Sequence, residues 1–102
     1  MKLRDDGCVL CGSTWGDFWA EVDGERRFFC CEICAVQLAN LVVALHHELG
    51  PKEILRLAIN GDRRGRTATV DHDGGISRFQ FLFGAEGEVQ RLRLDPGFTR
   101  GP

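Results

Sequence analysis

The chain has 102 residues, of which 43% are hydrophobic and 27% charged, and its formal net charge is −2. This length suits one domain, and the net charge disfavours general nucleic-acid binding through a basic surface. No apolar run is long enough to cross a membrane, so no membrane partner is expected. Charged residues open the chain and no apolar segment follows them, which predicts no secretory signal. We expect a single cytoplasmic domain over residues 1–102.

The first predicted elements are a cysteine turn and a β-hairpin. A Cys-x-x-Cys turn at residues 8–11 is closed by Gly12. Residues 18–22 are typical of a strand, Asp23-Gly24 of a tight turn, and residues 26–29 of the returning strand. That strand leads directly into a second group of cysteines, which comprises Cys30, Cys31 and Cys34.

Two helices are predicted next. The first runs from about residue 31 to residue 49, and Gly50 followed by Pro51 marks its end. Pro51 also suits the first position of a helix, because its missing N–H would have no partner there. The sequence therefore predicts a short second helix over residues 51–59, which Asn60-Gly61-Asp62 would end.

The remaining chain predicts a three-stranded antiparallel β-meander over about residues 66–95. Glycine-rich turn signals divide it into strands at residues 67–71, 76–83 and 88–94. Phe79, Phe81 and Phe83 alternate along the second strand and therefore share one face. A small sheet must bury one face against a helix, so we predict that these rings form the core face rather than a base-stacking platform.

The cysteines carry the clearest chemical signal. In a reducing compartment, paired cysteines indicate a metal site rather than disulfides, and an odd total of five disfavours a full disulfide framework. Structural zinc takes four Cys or His ligands in a tetrahedron. We predict one zinc ion bound by Cys8, Cys11, Cys30 and Cys34, with Cys31 as the alternative to Cys30.

The choice between the adjacent cysteines depends on the helix. Cys34 can share a helix face with either neighbour, four residues from Cys30 or three residues from Cys31. At 3.6 residues per turn, Cys31 aligns with Leu38 and Val42 in the middle of the apolar stripe. This favours Cys30 as the ligand and Cys31 as a small buried apolar side chain.

The motifs resemble those of known zinc proteins. Cys-Gly-Ser-x-Trp-Gly-Asp at residues 11–17, Phe-Cys-Cys-x-x-Cys-Ala at 29–35 and Gly-Arg-Thr at 65–67 resemble a small archaeal zinc-binding domain family of unknown function. The spacing over residues 8–45 is similar to treble-clef zinc fingers of the TRASH and YHS type. The resemblance implies zinc bound by the four cysteines at 8, 11, 30 and 34, and no catalytic residues. It implies an α+β fold, in which a treble-clef finger at about 8–50 (knuckle, hairpin and long helix) packs with the three-stranded antiparallel meander.

The predicted helix is apolar on more than one side. Ile33, Val36 and Val43 interrupt its polar arc, and Trp15 and Trp19 lie near the cysteine turn. These five residues are candidate partner-binding residues if they are exposed. The alternative is that the meander covers the helix and the tryptophans pack under the cysteine turn.

Two further clusters carry weaker metal signals. Adjacent helical residues point about 100° apart, so His46 and His47 cannot easily bind one ion together, and we interpret them as a solvated helix end. Asp71-His72-Asp73 has metal-binding residue types, but it precedes Gly74-Gly75, and turn formation explains it more simply.

The sequence favours a non-enzymatic, zinc-stabilised module that binds a protein partner or joins a larger complex as an accessory subunit. Four thiolates close a zinc site and leave no open position for substrate, so no enzyme activity is predicted. One alternative is a metal sensor or chaperone of TRASH type, which would need an exchangeable site. A less favoured alternative is a nucleic-acid-binding zinc finger that uses Arg63, Arg64, Arg66, Arg78, Arg91 and Arg93.

Overall fold

The computed structural model describes residues 3, 7–11, 14–16, 18–22, 24–62 and 64–95, with only the backbone of Asp62. Gly12, Asp23 and Arg63, to which the sequence assigns turn or binding roles, lie outside this part of the chain. The described part forms one helix and six strands, in the order β1 Phe18–Val22, β2 Glu25–Phe29, α1 Glu32–Leu49, β3 Ile54–Asp62, β4 Gly65–His72, β5 Gly75–Phe83 and β6 Val89–Leu94.

Strands β1 and β2 form a separate two-stranded antiparallel sheet. Phe18 pairs with Phe29 at its open end and Val22 with Glu25 at the turn. Gly24 has a φ of +82°, a conformation that glycine adopts without steric cost. Phe29 is fully buried, so the last residue of β2 fixes the chain in the core immediately before Cys30.

Helix α1 begins after Cys31 and ends at Gly50. The N–H of Gly50 donates to the carbonyl of His46 over 3.0 Å, and a φ of +75° at Gly50 turns the chain away from the helix. One face of α1 is buried in the core through Cys34, Ala35, Leu38, Leu41, Val42 and Leu45. No helix in the described ranges has the length and apolar character needed to span a membrane.

Strands β3 to β6 form a four-stranded antiparallel sheet whose spatial order follows the chain. Phe79 and Phe81 are buried on the same face as Ala68 and Val70 of β4. Phe83 is partly buried, and its ring meets that of Phe81 edge to face with centroids 5.1 Å apart. The prediction that the phenylalanine stripe forms the core face is confirmed.

The predicted α+β fold is wrong, because the chain is mostly β, with six strands in two sheets and one helix in the described part. The meander has four strands rather than three. Helix α1 packs mainly against β1, β2 and β6 instead of covering the whole sheet. The structure gives no support for a treble-clef finger as the organising unit.

The predicted short helix at residues 51–59 is also wrong, because β3 occupies this segment. A register irregularity lies between Ile54 and Arg56, so the alternation of the strand is broken there. Ile54 and Leu57, three residues apart, are consequently both buried. The prediction rested on Pro51 as the first position of a helix, but Pro51 precedes a strand instead, and the spacing of Ile54 and Leu57 does not reveal that strand.

Candidate metal centre

Four cysteine sulfurs converge at one place. The Sγ atoms of Cys8, Cys11, Cys30 and Cys34 all lie within 4.8 Å of one another. The sulfur of Cys30 lies 3.5 Å from that of Cys11 and 3.4 Å from that of Cys34. The structure therefore brings together the four cysteines that the sequence predicts as ligands.

The cysteine turn is held against the hairpin by its backbone. The N–H of Val9 donates to the carbonyl of Phe28 over 3.2 Å, and the side chains of Val9 and Leu10 are buried. This contact places Cys8 in the core, where its side chain is fully buried, while Cys11 faces solvent.

The backbone of Gly16 fixes the other side of the centre. Its φ is +86°, and a Cβ built there would lie 2.2 Å from the carbonyl oxygen of Cys30. Only glycine allows so close an approach of the two backbones. Gly16 is thus a positioning residue for Cys30. It lies in the Cys-Gly-Ser-x-Trp-Gly-Asp motif at residues 11–17, but its role could not be predicted because its contact with Cys30 is tertiary.

The remaining two sulfurs come from the junction between β2 and α1. Cys30 follows the buried Phe29, and Cys34 lies in the first turn of α1. Cys30 lies before the helix, separated from α1 by the extended residue Cys31, and its sulfur and that of Cys34 both lie beside Cys8 and Cys11.

The donor set fits a metal ion such as zinc. A tetrahedral site with zinc–sulfur bonds of about 2.3 Å has sulfur–sulfur edges of about 3.8 Å. The separations of 3.4 and 3.5 Å are close to that value and far longer than a disulfide bond, and all five cysteines are free thiols. Soft sulfur ligands in this arrangement favour zinc over harder cations.

Burial keeps two of the thiols protonated when no cation is present. Burial is the main reason why the pKa of Cys30 is raised from 9.0 to about 12. Burial also raises the pKa of Cys34, and a hydrogen bond with Cys30 adds to the effect. A bound cation would reverse this preference by stabilising the thiolates.

Cys31 differs from the other cysteines of the junction. Its sulfur lies 3.9 Å from that of Cys30 but does not belong to the group of four. It precedes the first helical residue and is only partly buried, so the expectation of a buried apolar side chain in the helix stripe is wrong. The backbone N–H of Cys34, at the positive end of α1, lowers the pKa of Cys31.

Zinc affinity should increase with pH. Binding must displace at least the protons that Cys30 and Cys34 hold at neutral pH, and two or more displaced protons give at least about a hundredfold rise in association constant per pH unit. A competition titration with a chromophoric chelator between about pH 6.5 and 8 measures this slope. An affinity independent of pH would contradict the burial of protonated thiols.

The folding stability of the metal-free protein should decrease as the pH rises in alkaline solution. The unfolded chain ionises Cys30 near pH 9.0, whereas the folded chain keeps it neutral up to about pH 12. The protonated thiol of Cys30 therefore contributes fully to the free energy of unfolding below pH 9.0, and this contribution is lost as the pH rises from 9.0 to about 12. Urea unfolding of the metal-free protein below and above pH 9.0 measures this loss of stability.

Comparison with known proteins places this geometry in a family. A family model described as Ta0938 matches residues 5–95. The chain belongs to the Ta0938 family. The matched range contains all four clustered cysteines, α1 and both sheets. Neither the curated proteins nor the solved structures include a match to the chain.

The Ta0938 match supports the predicted resemblance only at the level of the family. The predicted relationship to TRASH and YHS fingers stays a prediction, and so does the identity of the bound ion. What the match adds is that the cysteine cluster and the meander are parts of one family unit, because a single model covers both.

The second predicted cluster, Asp71-His72-Asp73, has a structural role for its histidine. His72 is buried, and its Nδ1 accepts a hydrogen bond from the N–H of Gly74 over 3.0 Å. The Nε2–H therefore donates to Ser77 Oγ, 2.9 Å away. Both ring nitrogens are engaged within the fold, which leaves neither for a metal ion.

The five candidate partner-binding residues are all exposed. Trp15 is 63% accessible, Trp19 51%, Ile33 65%, Val36 40% and Val43 70%. The alternative, in which the tryptophans pack under the cysteine turn and the meander covers the helix, is therefore not what the structure has. Trp19 instead lies on the outer face of the hairpin, with its ring against Phe28 and the guanidinium of Arg26 5.4 Å from its centroid.

The arginines predicted for nucleic-acid binding do not all line one surface. Four of them line a single groove, namely Arg64, Arg66, Arg91 and Arg93. Arg78 is not among the residues that line it. The aromatic rings that a base-stacking surface would need, Phe79 and Phe81, are buried on the core side of the sheet.

Proposed function

We propose that this chain is a small, non-enzymatic zinc-binding protein of the cytoplasm, where it acts as a protein-interaction module or an accessory subunit of a larger complex. Four clustered sulfurs support a structural ion, because they would fill a tetrahedral coordination shell and leave no position for substrate. The ion would tie the cysteine turn to the start of α1. The observation that carries the interaction role is an exposed aliphatic face on that helix.

This face is formed by Ile33, Val36 and Val43, which we call the helix face. At 100° per residue the three side chains fall within an arc of about 80°, opposite the buried stripe of α1. Three aliphatic side chains, each at least 40% accessible on one arc, are typical of a surface that a partner covers.

The surroundings of the helix face favour a partner of defined chemistry. Ile33 and Val36 line a shallow groove of about 320 Å³ with Ala85. The two acidic residues at this groove are Glu32 and Glu86. The occupant we propose is an apolar segment of another protein flanked by lysine or arginine, because its charges would complement both carboxylates.

The double variant Ile33→Glu, Val43→Glu should lose the partner and keep its zinc. The added carboxylates would be desolvated against the apolar part of the segment, away from its flanking charges, so we expect affinity to fall by about a hundredfold or more. Native mass spectrometry of the protein from its own cells identifies the partner, and calorimetry with both purified proteins measures the affinity.

Leu55→Glu is the matched control, since Leu55 is 48% accessible on β3 and lies outside the helix face. It should bind the partner like the unchanged protein. A photo-crosslinker at position 36 should attach to the partner's apolar segment. Equal losses in both variants, or a complex that consists only of two copies of this chain, would contradict the proposed partner.

A second candidate function is metal handling, as the TRASH resemblance suggests. The observation in its favour is that Cys11 is exposed while the other three cysteines of the cluster are buried. An exposed ligand gives a competing thiol a point of attack. Rapid zinc transfer to a chelator, accompanied by a change in conformation and without a stable protein partner, would favour this function over the first.

A further inference from the structure

A basic groove lies at the end of the meander, on residues that neither the cysteine cluster nor the helix face uses. Its volume is about 490 Å³, within the range of sites for small molecules. We call it the arginine groove and define it by Arg64, Arg66, Thr67, Gln80, Arg91 and Arg93.

The charge of the arginine groove is of one sign. Four arginines line it, and none of the described residues that line it is acidic. The chain as a whole carries a net charge of −2, so this concentration of positive charge is local. A concave surface lined by one sign of charge attracts ligands of the opposite sign.

The arginines approach the groove from two sides of β5. One pair belongs to β4 and the residue before it, and the other pair belongs to β6. Strands two positions apart in a sheet are separated by about 10 Å, so Arg64 on one side and Arg91 and Arg93 on the other can reach one ligand between them. Arg66 faces the other side of the sheet, because it pairs with Phe81 and its guanidinium lies 5.3 Å from the centre of the Phe83 ring. On β5, Gln80 lies next to the second pair, with its Oε1 3.5 Å from a guanidinium nitrogen of Arg93.

The backbone of β6 gives an independent indication of a site. Arg91 has a φ of +55°, and among the described residues it is the non-glycine residue with a left-handed conformation. The pairing of β5 with β6 shifts register beside it, between Gln80 and Leu82. Bulges of this kind redirect side chains, and residues held in unfavourable backbone regions concentrate at ligand sites.

We propose that the arginine groove binds a ligand with two or more linked phosphates, either a nucleoside di- or triphosphate or a free oligophosphate. Such a group carries about three or more negative charges, which the guanidiniums of Arg64, Arg91 and Arg93 can match. Guanidinium also pairs with phosphate oxygens through two parallel hydrogen bonds. The Thr67 hydroxyl and the Gln80 amide add neutral donors.

The test is a titration of the full-length, zinc-loaded protein, followed by amide resonances in NMR spectra. The probes are inorganic triphosphate, ATP and inorganic phosphate. We expect triphosphate and ATP to shift the amides of Gly65, Gln80 and Leu92, with much weaker effects from phosphate. Equal affinities would assign recognition to the phosphates alone, and tighter binding of ATP would assign it to a nucleotide. Metal content is measured after each titration, because oligophosphates also chelate zinc.

The variant pair separates the groove from general charge effects. Arg91→Gln with Arg93→Gln should weaken triphosphate binding by about tenfold or more, because it removes two charged hydrogen-bond donors. Arg26→Gln with Arg56→Gln removes the same charge from exposed positions elsewhere and should leave affinity within about twofold.

Three results would overturn the proposal. In the first, triphosphate does not shift the amides of the groove. In the second, the two double variants weaken triphosphate binding equally. In the third, a single-stranded oligonucleotide or an acidic peptide occupies the groove far more tightly than either phosphate ligand. None of these results depends on the helix face, so they do not test the proposed protein-interaction role.

Discussion

Replacing Cys30 with serine should abolish zinc binding and unfold the N-terminal part of the chain. Cys30 has the most central sulfur of the described contacts, 3.5 Å from that of Cys11 and 3.4 Å from that of Cys34. A serine hydroxyl is a hard, protonated group and a poor substitute for a thiolate. Since the affinity for structural zinc is also folding free energy, we expect a loss of at least about 5 kcal/mol of stability. Metal analysis and thermal unfolding measure both effects.

Cys31→Ser is the matched control for this variant, because it removes the neighbouring thiol from outside the group of four. We expect one zinc ion per chain and a change in stability of less than about 1 kcal/mol. If Cys31→Ser strips the metal while Cys30→Ser keeps it, the assignment of the fourth ligand is wrong. If both variants keep their zinc, neither Cys30 nor Cys31 is a required ligand.

Replacing Gly16 with alanine should be strongly destabilising. The new Cβ would lie 2.2 Å from the carbonyl oxygen of Cys30, which is backbone and cannot rotate away. The positive φ adds a cost of about 1 to 2 kcal/mol for any residue with a side chain. We expect a total loss of at least about 3 kcal/mol in the free energy of unfolding, together with weaker zinc binding, because Cys30 must shift.

Gly24→Ala isolates the backbone part of this effect. Gly24 has nearly the same φ, +82° against +86°, but an added Cβ there meets no atom within 4 Å. Only the conformational cost of about 1 kcal/mol should remain, and zinc affinity should not change. Chemical denaturation and a chelator titration of the two variants side by side give the comparison. Equal losses would show that contact with Cys30 is unimportant.

The cysteine cluster is the part of this protein that sequence reasoning predicts best. Tetrahedral coordination restricts the choice to four thiols, and helix periodicity separates Cys30 from Cys31. The reasoning selected the four sulfurs that the fold brings together, although Cys31 is a partly exposed residue before the helix rather than part of its buried stripe. Whether zinc occupies the cluster is a matter for the experiments above.

The fold was harder to predict because local patterns are ambiguous. Strands β4, β5 and β6 lie where the glycine-rich turns predict them, since each turn separates two alternating segments. Strand β3 was not predicted, because its register irregularity places two buried residues, Ile54 and Leu57, three positions apart. An alternation that is interrupted in this way cannot be distinguished from helical periodicity over so short a segment.

The sequence pointed to residues of two further features, but not to the contacts that give them their roles. Gly16 matters only because of its distance from Cys30, and the arginine groove exists only because β4 and β6 flank the same strand. Both depend on tertiary structure, which no local pattern encodes.

The strand order of the meander has a consequence for how the chain folds. Each strand pairs with its neighbour in sequence, so every step closes a short loop at a small cost in entropy. The sheet can therefore assemble from local hairpins, which favours rapid folding. The cysteine cluster is different, because it joins residues 8–11 to residues 30–34 across the whole first hairpin. Metal binding at the cluster, as proposed above, would supply free energy for this less local closure.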